Sequence, residues 1–537
     1  MKKTSLVFVF FAGLIAALFW ANFQDVPGYM DAEYYYVNAL QLFRNEGLQE
    51  PFIWNYLSDP AGVPTPAFSY WMPLPSLLAA AGLFIFSNES FLAARSLFLI
   101  CAGLLPVMVI ILTLKLVKNN EFVWMAGILA IFCGYYTIFI SQTDSFILLM
   151  ILACCFYIAA FTDSFFSEHL WKWTLGFLTL GLLSGLIHLT RADGLLWLGV
   201  SAIILVWRVK RGKQEVSSNS DKSNKIKFIL GAAVILAGYL CVTGWWYARN
   251  LLVWGTLMPP GGVNTIWLTA YDQMFVYPAN NLSFQNWVAS GWNSIINVRL
   301  NSFLQNLKTL MGVQLMIFLL PFVCAGAWKL RKLPIIRLPL FVWLGIFGVM
   351  TLVFPFAGAR GGYFHSGSAI QPLIWALFPI GFQSFIDFGV KKRNWNAKVA
   401  GKVFAMGFML IAIVLSGVLF FARVSGFNGT NTWDYSHQQY MRIAIILNEL
   451  DIDYSETIMV NNPPGFYLAS GRTSIVIPDG DVSTLIKAAR KYNANYLVLE
   501  PNHPAGLNDV FLFPNNYPDL VYLQRIDSAI IFRLTEK

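Results

Sequence analysis

Apolar residues run through this chain in long blocks almost free of charge, and polar residues fill the gaps between them. A helix crossing a bilayer core of about 30 Å needs roughly 20 apolar residues. Blocks of that size predict eleven spans, near 5–22, 95–117, 122–141, 145–162, 171–188, 192–208, 228–247, 309–328, 338–357, 368–388 and 403–422. The first follows Met1-Lys2-Lys3 and no small-x-small cleavage site comes after it, so it reads as an uncleaved anchor with its N-terminus inside. The stretch "MPLPSLLAAAGLFIF", Met72 to Phe86, holds two prolines and is too short to cross. It is expected as an interfacial helix on the outer surface.

Charge supports that choice. The inner gaps then carry seven basic residues in 208–227, four in 329–337 and five in 391–402. Making 72–86 a twelfth span would move "KLRKLPIIR" and "KKRNWNAK" outside, against the positive-inside rule. The polar segments therefore gather on the outer side: loops 23–94, 248–308 and 358–367, and the tail 423–537. The inner linker 208–227 is rich in Ser, Asn and Lys and predicts disorder.

The expected domains are a membrane domain, 1–422, and a soluble extracytoplasmic domain, 423–537. In the tail, "YMRIAIILNELD" and "DVSTLIKAARKY" predict helices, the second capped by its Asp. "ETIMVNN", "ANYLVLE", "LVYLQRI" and "AIIFRL" predict strands, the last two as a hairpin. The fold class is a mainly α polytopic bundle with a small C-terminal α/β domain. "NNPPGF", Asn461 to Phe466, reads as a plain strand-to-helix turn or as a ligand-binding one.

The chain has 537 residues, 57% hydrophobic and 12% charged. Soluble domains carry about 25% charged residues, so a soluble enzyme is excluded. The net charge of +9 reports topology and calls for no nucleic acid. No nucleotide-binding motif occurs, so the chemistry expected outside runs without ATP. The six cysteines all lie in apolar runs and suggest no disulfide framework. The five histidines include no i, i+4 pair. Spacing therefore assigns no metal ligands and no cofactor, and dependence on a divalent metal stays open.

The chemistry points to "GYMDAEYYYVNALQ", Gly28 to Gln41, just past the first span. Ala32, Tyr35, Tyr36, Ala39, Leu40 and Phe43 form one face of an amphipathic helix. Asp31 falls at its N-cap position, where an aspartate either caps the helix or serves as a base. Glu33 points away from it, because residues i and i+2 do not face each other on a helix. Arg191, Arg249 and Arg360 sit at outer helix ends, as do Asp144, Asp193, His188 and His365. Each is either a boundary charge or a site residue. Tyr34, Trp54, Tyr70 and Trp71 read as sugar-stacking rings or interfacial anchors.

"DAEYYYVNALQL", "SYWMPLPSLLAAAGLFIFSNESFLAARS", "SQTDSFIL", "LTRADGLLWL" and "WWYARNLLVWGTLMPP" follow one another over the first 260 or so residues. In order and in predicted side they resemble the GT-C glycosyltransferases, most closely family 39, with its protein mannosyltransferases and aminoarabinose transferases. Many of those have adjacent Asp-Glu where this chain has Asp31-Ala32-Glu33. The resemblance implies a bundle with two interfacial helices, about 31–46 and 71–87, in the first outer loop. It implies transfer of a sugar from a polyprenyl-phosphate donor to a hydroxyl acceptor, protein, lipid or glycan, at the outer face of the plasma or inner membrane. Asp31 or Glu33 would be the catalytic carboxylate. Arg249, Arg360, Arg191, Asp144, His365 and Tyr35 would contact the substrates. A transporter or flippase of a lipid-linked substrate is the alternative. It wants charge at mid-membrane and internal repeats, and neither is found.

Overall fold

The computed structural model describes residues 3–117, 120–166, 169–215, 221–426 and 432–535. Seven helices are long and apolar enough to cross a membrane: Thr4–Ala21, Phe91–Leu116, Leu170–Thr190, Ala192–Lys210, Asn224–Trp254, Pro355–Arg393 and Ala397–Val424. They correspond to seven of the eleven expected spans, and the chain is a multi-pass membrane protein.

The other four are shorter or broken. Ser145–Ala160 has only 16 residues, and Ile336–Leu352 is also a shorter apolar helix. The 122–141 block stops as helix Val123–Ile131, followed by a 3-10 turn, Gly134–Ile138. The 309–328 block is a π turn, Thr309–Gln314, then Met316 and Ile317 in left-handed conformations, then helix Leu320–Lys329. These irregular segments meet each other. A Cβ at Gly134, itself at φ 65°, would lie 3.0 Å from Met316 Sδ. Non-helical backbone survives at membrane depth only when protein encloses it, and here Gly134 and Met316 are buried against each other while Ile317 is exposed. Loop 358–367 is likewise wound rather than open. It forms a π turn, Gly358–Gly362, and a helical turn, Tyr363–Gly367, with the kink at Gly361, φ 127°.

Helix Met30–Phe43 and helix Leu74–Phe86 occupy the segment expected as the first outer loop. The second, at 13 residues, rises only about 20 Å and cannot span. The linker 208–227 corrects the expectation of disorder. Helix Leu196–Glu215 enters it and helix Asp221–Trp254 leaves it, and only 216–220 lie outside the described residues. Lys and Glu are good helix formers, and Arg208 anchors the start by donating to Asp163 Oδ1 at 2.7 Å.

The tail folds around a six-stranded sheet. Its strand order is Phe52–Ile53, Ser474–Val476, Thr457–Val460, Ala494–Leu499, Ala529–Leu534 and Leu520–Ile526. The first four strands pair in parallel and the last two extend the sheet antiparallel. Helix Val482–Lys491 packs on one face through Leu485 and Ala488. Helix Tyr435–Glu449 packs on the other through Tyr440, Ile443 and Leu447. The edge strand Phe52–Ile53 belongs to the first outer loop, so the tail's sheet is completed by a segment more than 400 residues away. The same loop contributes Asp59, whose carboxylate accepts from Lys491 Nζ at 2.6 Å.

Candidate active site

Asp31 is the second residue of helix Met30–Phe43, and Tyr29 is its N-cap with no side-chain capping bond. The cap reading of Asp31 is thereby overturned. Its carboxylate turns instead toward His365, with Oδ2 3.5 Å from Nε2. The other face of the imidazole edge meets Asp144, whose Oδ1 lies 3.7 Å from Nδ1. Asp144 does cap its helix, accepting from Ser145 N. It also accepts from Tyr29 Oη at 2.7 Å.

The ring of His365 is held on three sides. Ser145 Oγ lies 3.0 Å from Nδ1, and Phe146 stacks on the ring at 3.9 Å between centroids. The kinked 358–367 segment fixes it from behind. Thr143 Oγ1 donates to Ala32 O at 2.9 Å, tying the Asp144 turn to the Asp31 helix.

One donor atom from each of Asp31, Asp144 and His365 falls within 4.8 Å of the others. Two carboxylates and an imidazole suit a divalent cation, so this group could hold one. Spacing in the sequence could not reveal it, since the three residues come from three separate segments. Asp144 and His365 are buried, while Asp31 keeps 29% of its side chain exposed. Burial pushes the Asp31 carboxyl up to about 7, the Asp144 charge adds to the rise, and Arg191 opposes it. A carboxylate titrating near neutrality is a stronger base than an ordinary one.

The remaining residues from the sequence divide. Arg191 belongs to the group: its charge acts on Asp31, Tyr35 and Tyr70, though its Nε is committed to Asp193 Oδ1 at 2.9 Å. Arg360 lies 3.9 Å over the ring of Tyr271, and Tyr271 feels both Arg360 and Asp31. Arg360 is exposed and makes no hydrogen bond or ion pair among the described residues. Tyr35 is buried against Tyr34 and Trp71, in the field of Asp144, Asp31 and Arg191.

Arg249 and Glu33 make their direct contacts elsewhere, although the Glu33 charge also acts on Asp31. Arg249 donates from Nη2 to Ala67 O at 2.6 Å and packs over Trp254 at 4.4 Å and Trp246 at 5.1 Å. The acid it feels is Glu50. Glu33, 1% exposed, accepts from Asn462 Nδ2 at 2.7 Å. His188 pairs with Tyr239 Oη at 2.5 Å. Trp54 and Tyr34 are buried, which removes them as sugar platforms, while Tyr70 and Trp71 stay partly open. Tyr29, Ser145, Tyr271 and Asn462 were not singled out from the sequence. Tyr29 and Ser145 lie in the quoted motifs and Asn462 in the "NNPPGF" turn, so their places carried a signal; Tyr271 carried none.

No protein-family model matches the chain, and no curated protein matches it in sequence. Solved structures do. The Archaeoglobus fulgidus oligosaccharyltransferase AglB, in complex with an inhibitory peptide and a dolichol-phosphate, aligns at TM-score 0.54 and 13% identity. The alignment covers 93% of this chain and 69% of that one. ArnT from Cupriavidus metallidurans, bound to undecaprenyl phosphate, aligns at TM-score 0.53 and 11% identity, over 99% of this chain and 98% of that one. The chain has the GT-C fold. The expectation drawn from the five motifs over the first 260 residues thus extends, as architecture, to almost the whole chain.

Proposed function

We propose that this protein transfers a hexosyl or pentosyl group from a polyprenyl-phosphate donor to a hydroxyl acceptor at the outer face of the membrane. The observation that carries the reading is Asp31, a partly open carboxylate with a raised pKa, held against His365 on a GT-C scaffold. The acceptor oxygen attacks the anomeric carbon while Asp31 Oδ2 takes its proton. The bond from that carbon to the phosphate oxygen breaks, and polyprenyl phosphate leaves with the electron pair. Arg360, exposed and unpaired among the described residues, offers a planar fork to the leaving phosphate. Arg191 adds positive field beside it. His365, clamped by Ser145 and Phe146, holds Asp31 in position. If Asp31, Asp144 and His365 instead held a divalent cation, the cation would neutralise phosphate charge and Asp31 would be its ligand rather than the base. The proposed location is the plasma or inner membrane, with the tail outside.

The test is turnover. Purified full-length protein is incubated with a polyprenyl-phosphate sugar and a panel of hydroxyl acceptors. The expected result is release of free polyprenyl phosphate with the sugar on an acceptor. An intact donor with every acceptor overturns the reading, and movement of an intact donor across a vesicle membrane turns it into transport.

A further inference from the structure

Glu33 is a fully buried carboxylate that the proposed chemistry does not use. Its recorded hydrogen-bond donor is Asn462 Nδ2, at 2.7 Å, in the C-terminal domain. Asn462 is itself the N-cap of helix Pro463–Ser470, its Oδ1 accepting from Gly465 N at 3.3 Å. One side chain therefore caps a helix of the tail with one end and holds the acid-bearing helix with the other. A second observation shows that the space is made for this contact. A Cβ at position 465 would lie 2.6 Å from Asn462 Nδ2 and 2.7 Å from Glu33 Oε2. Only glycine leaves room for the carboxylate there. Around it, Phe466 and Pro464 are buried and Tyr467 meets Phe52 edge-on at 6.4 Å. The "NNPPGF" turn is thus a strand-to-helix turn, as its sequence reads, and also the point where the tail grips helix Met30–Phe43.

Glu33 and Asp31 share one turn of that helix. Any rotation or slide that Glu33 resists is a displacement that Asp31 Oδ2 would otherwise undergo relative to His365. Misplacement of a reacting group by about 1 Å costs roughly 10²-fold in rate.

Resting on the transferase reading above, we infer that Glu33 is a positioning residue: through Asn462 it uses the C-terminal domain to set the helix that presents Asp31. The domain then serves catalysis directly, at a contact more than 400 residues distant in sequence from the acid it orients.

The experiment uses full-length protein and a polyprenyl-phosphate sugar, comparing three variants with wild type. Glu33→Gln keeps an acceptor oxygen for Asn462 and retains most of the turnover. Asn462→Asp still caps its helix, since Asp caps about as well as Asn, but sets carboxylate against carboxylate. Its kcat falls about 10- to 100-fold with little change in KM for the acceptor. The double variant Glu33→Gln/Asn462→Asp restores the bond with the donor on the other side, and kcat returns to near the wild-type value. A dead Glu33→Gln overturns the inference by assigning Glu33 to the chemistry itself. A wild-type kcat in Asn462→Asp, or no recovery in the double variant, overturns it as well. Wild-type protein that releases no polyprenyl phosphate sinks the transferase reading and this one together. Wild-type turnover with an unaffected Asn462→Asp removes the positioning role alone.

Discussion

His365 Nε2 lies 3.5 Å from Asp31 Oδ2. The contact joins the first outer loop to the kinked segment between two late helices, and no spacing rule in the chain foretells it. It divides the acid pair of the opening motif. Asp31 faces the imidazole, and Glu33 faces the C-terminal domain.

Asp31→Asn is expected to express and fold normally, because Asp31 makes no capping bond that the substitution could remove. Turnover should fall about 10²-fold or more through loss of the base. In the wild type, burial holds the Asp31 proton to about pH 7. A base works only when unprotonated, so kcat/KM should rise with pH through about 7 and level off above it. A profile already flat from pH 5.5 to 8.5 would assign the base elsewhere.

Arg360 and Arg249 should separate under Lys substitution. Arg360→Lys keeps charge and loses the fork, so donor affinity should drop nearly as far as in Arg360→Met, roughly 10-fold or more. Arg249→Lys should damage stability more than donor affinity, because its guanidinium is stacked between Trp254 and Trp246 and bonded to Ala67 O. Donor-binding isotherms on the purified variants read both. The reverse order would move the phosphate to Arg249.

Glu50 gives a pH signature of stability. It is buried within the segment 23–94, where Tyr34 Oη and Phe68 N donate to it, the latter at 2.8 Å. Burial pushes its carboxyl up to about 7 despite those bonds. Between its ordinary value near 4.5 and about 7, the folded protein holds a proton that the unfolded chain has released. Raising the pH across that window therefore costs stability, up to about 3 kcal/mol. Glu50→Gln removes this dependence while keeping an acceptor oxygen. Tm of the wild type should fall more than that of Glu50→Gln between pH 5 and 8; equal falls would show that Glu50 is ionised throughout.

Topology can be read with reporters. One active only in an oxidising exterior should work after Lys537 and fail at Ser218, both positions outside the described residues. The opposite pattern would put the proposed active face inside.

Much of the architecture was legible because membrane and sheet physics are local. A run of apolar residues long enough to span declares itself, as Phe91–Leu116 and Ala397–Val424 do. Short apolar runs likewise mark buried strands such as Ala494–Leu499 and Ala529–Leu534. The i, i+2 relation also gave Asp31 and Glu33 different partners, His365 and Asn462, although the Glu33 charge still reaches Asp31. Where hydrophobicity was high but the backbone had to bend, the pattern misled. The blocks at 122–141 and 309–328 are apolar enough to span, yet they break at Gly134 and at Met316–Ile317, where buried Gly134 and Met316 meet and Ile317 lies exposed.

The site belongs to tertiary structure. The sequence by itself determined a polytopic helical protein with an acid just past the first span and an α/β tail. It could not determine that Asp144 and His365 converge on Asp31, that Arg249 turns toward Glu50, or that Phe52–Ile53 completes the tail's sheet. Those are relations between residues from just over 100 to more than 400 positions apart. They are set by which helices pack together and how each is rotated, and the hydrophobic pattern, nearly uniform around these helices, leaves that rotation open. Packing closes it: Phe146 on His365, Asn462 on Glu33 and Gly465 making room between them hold each acid to one face.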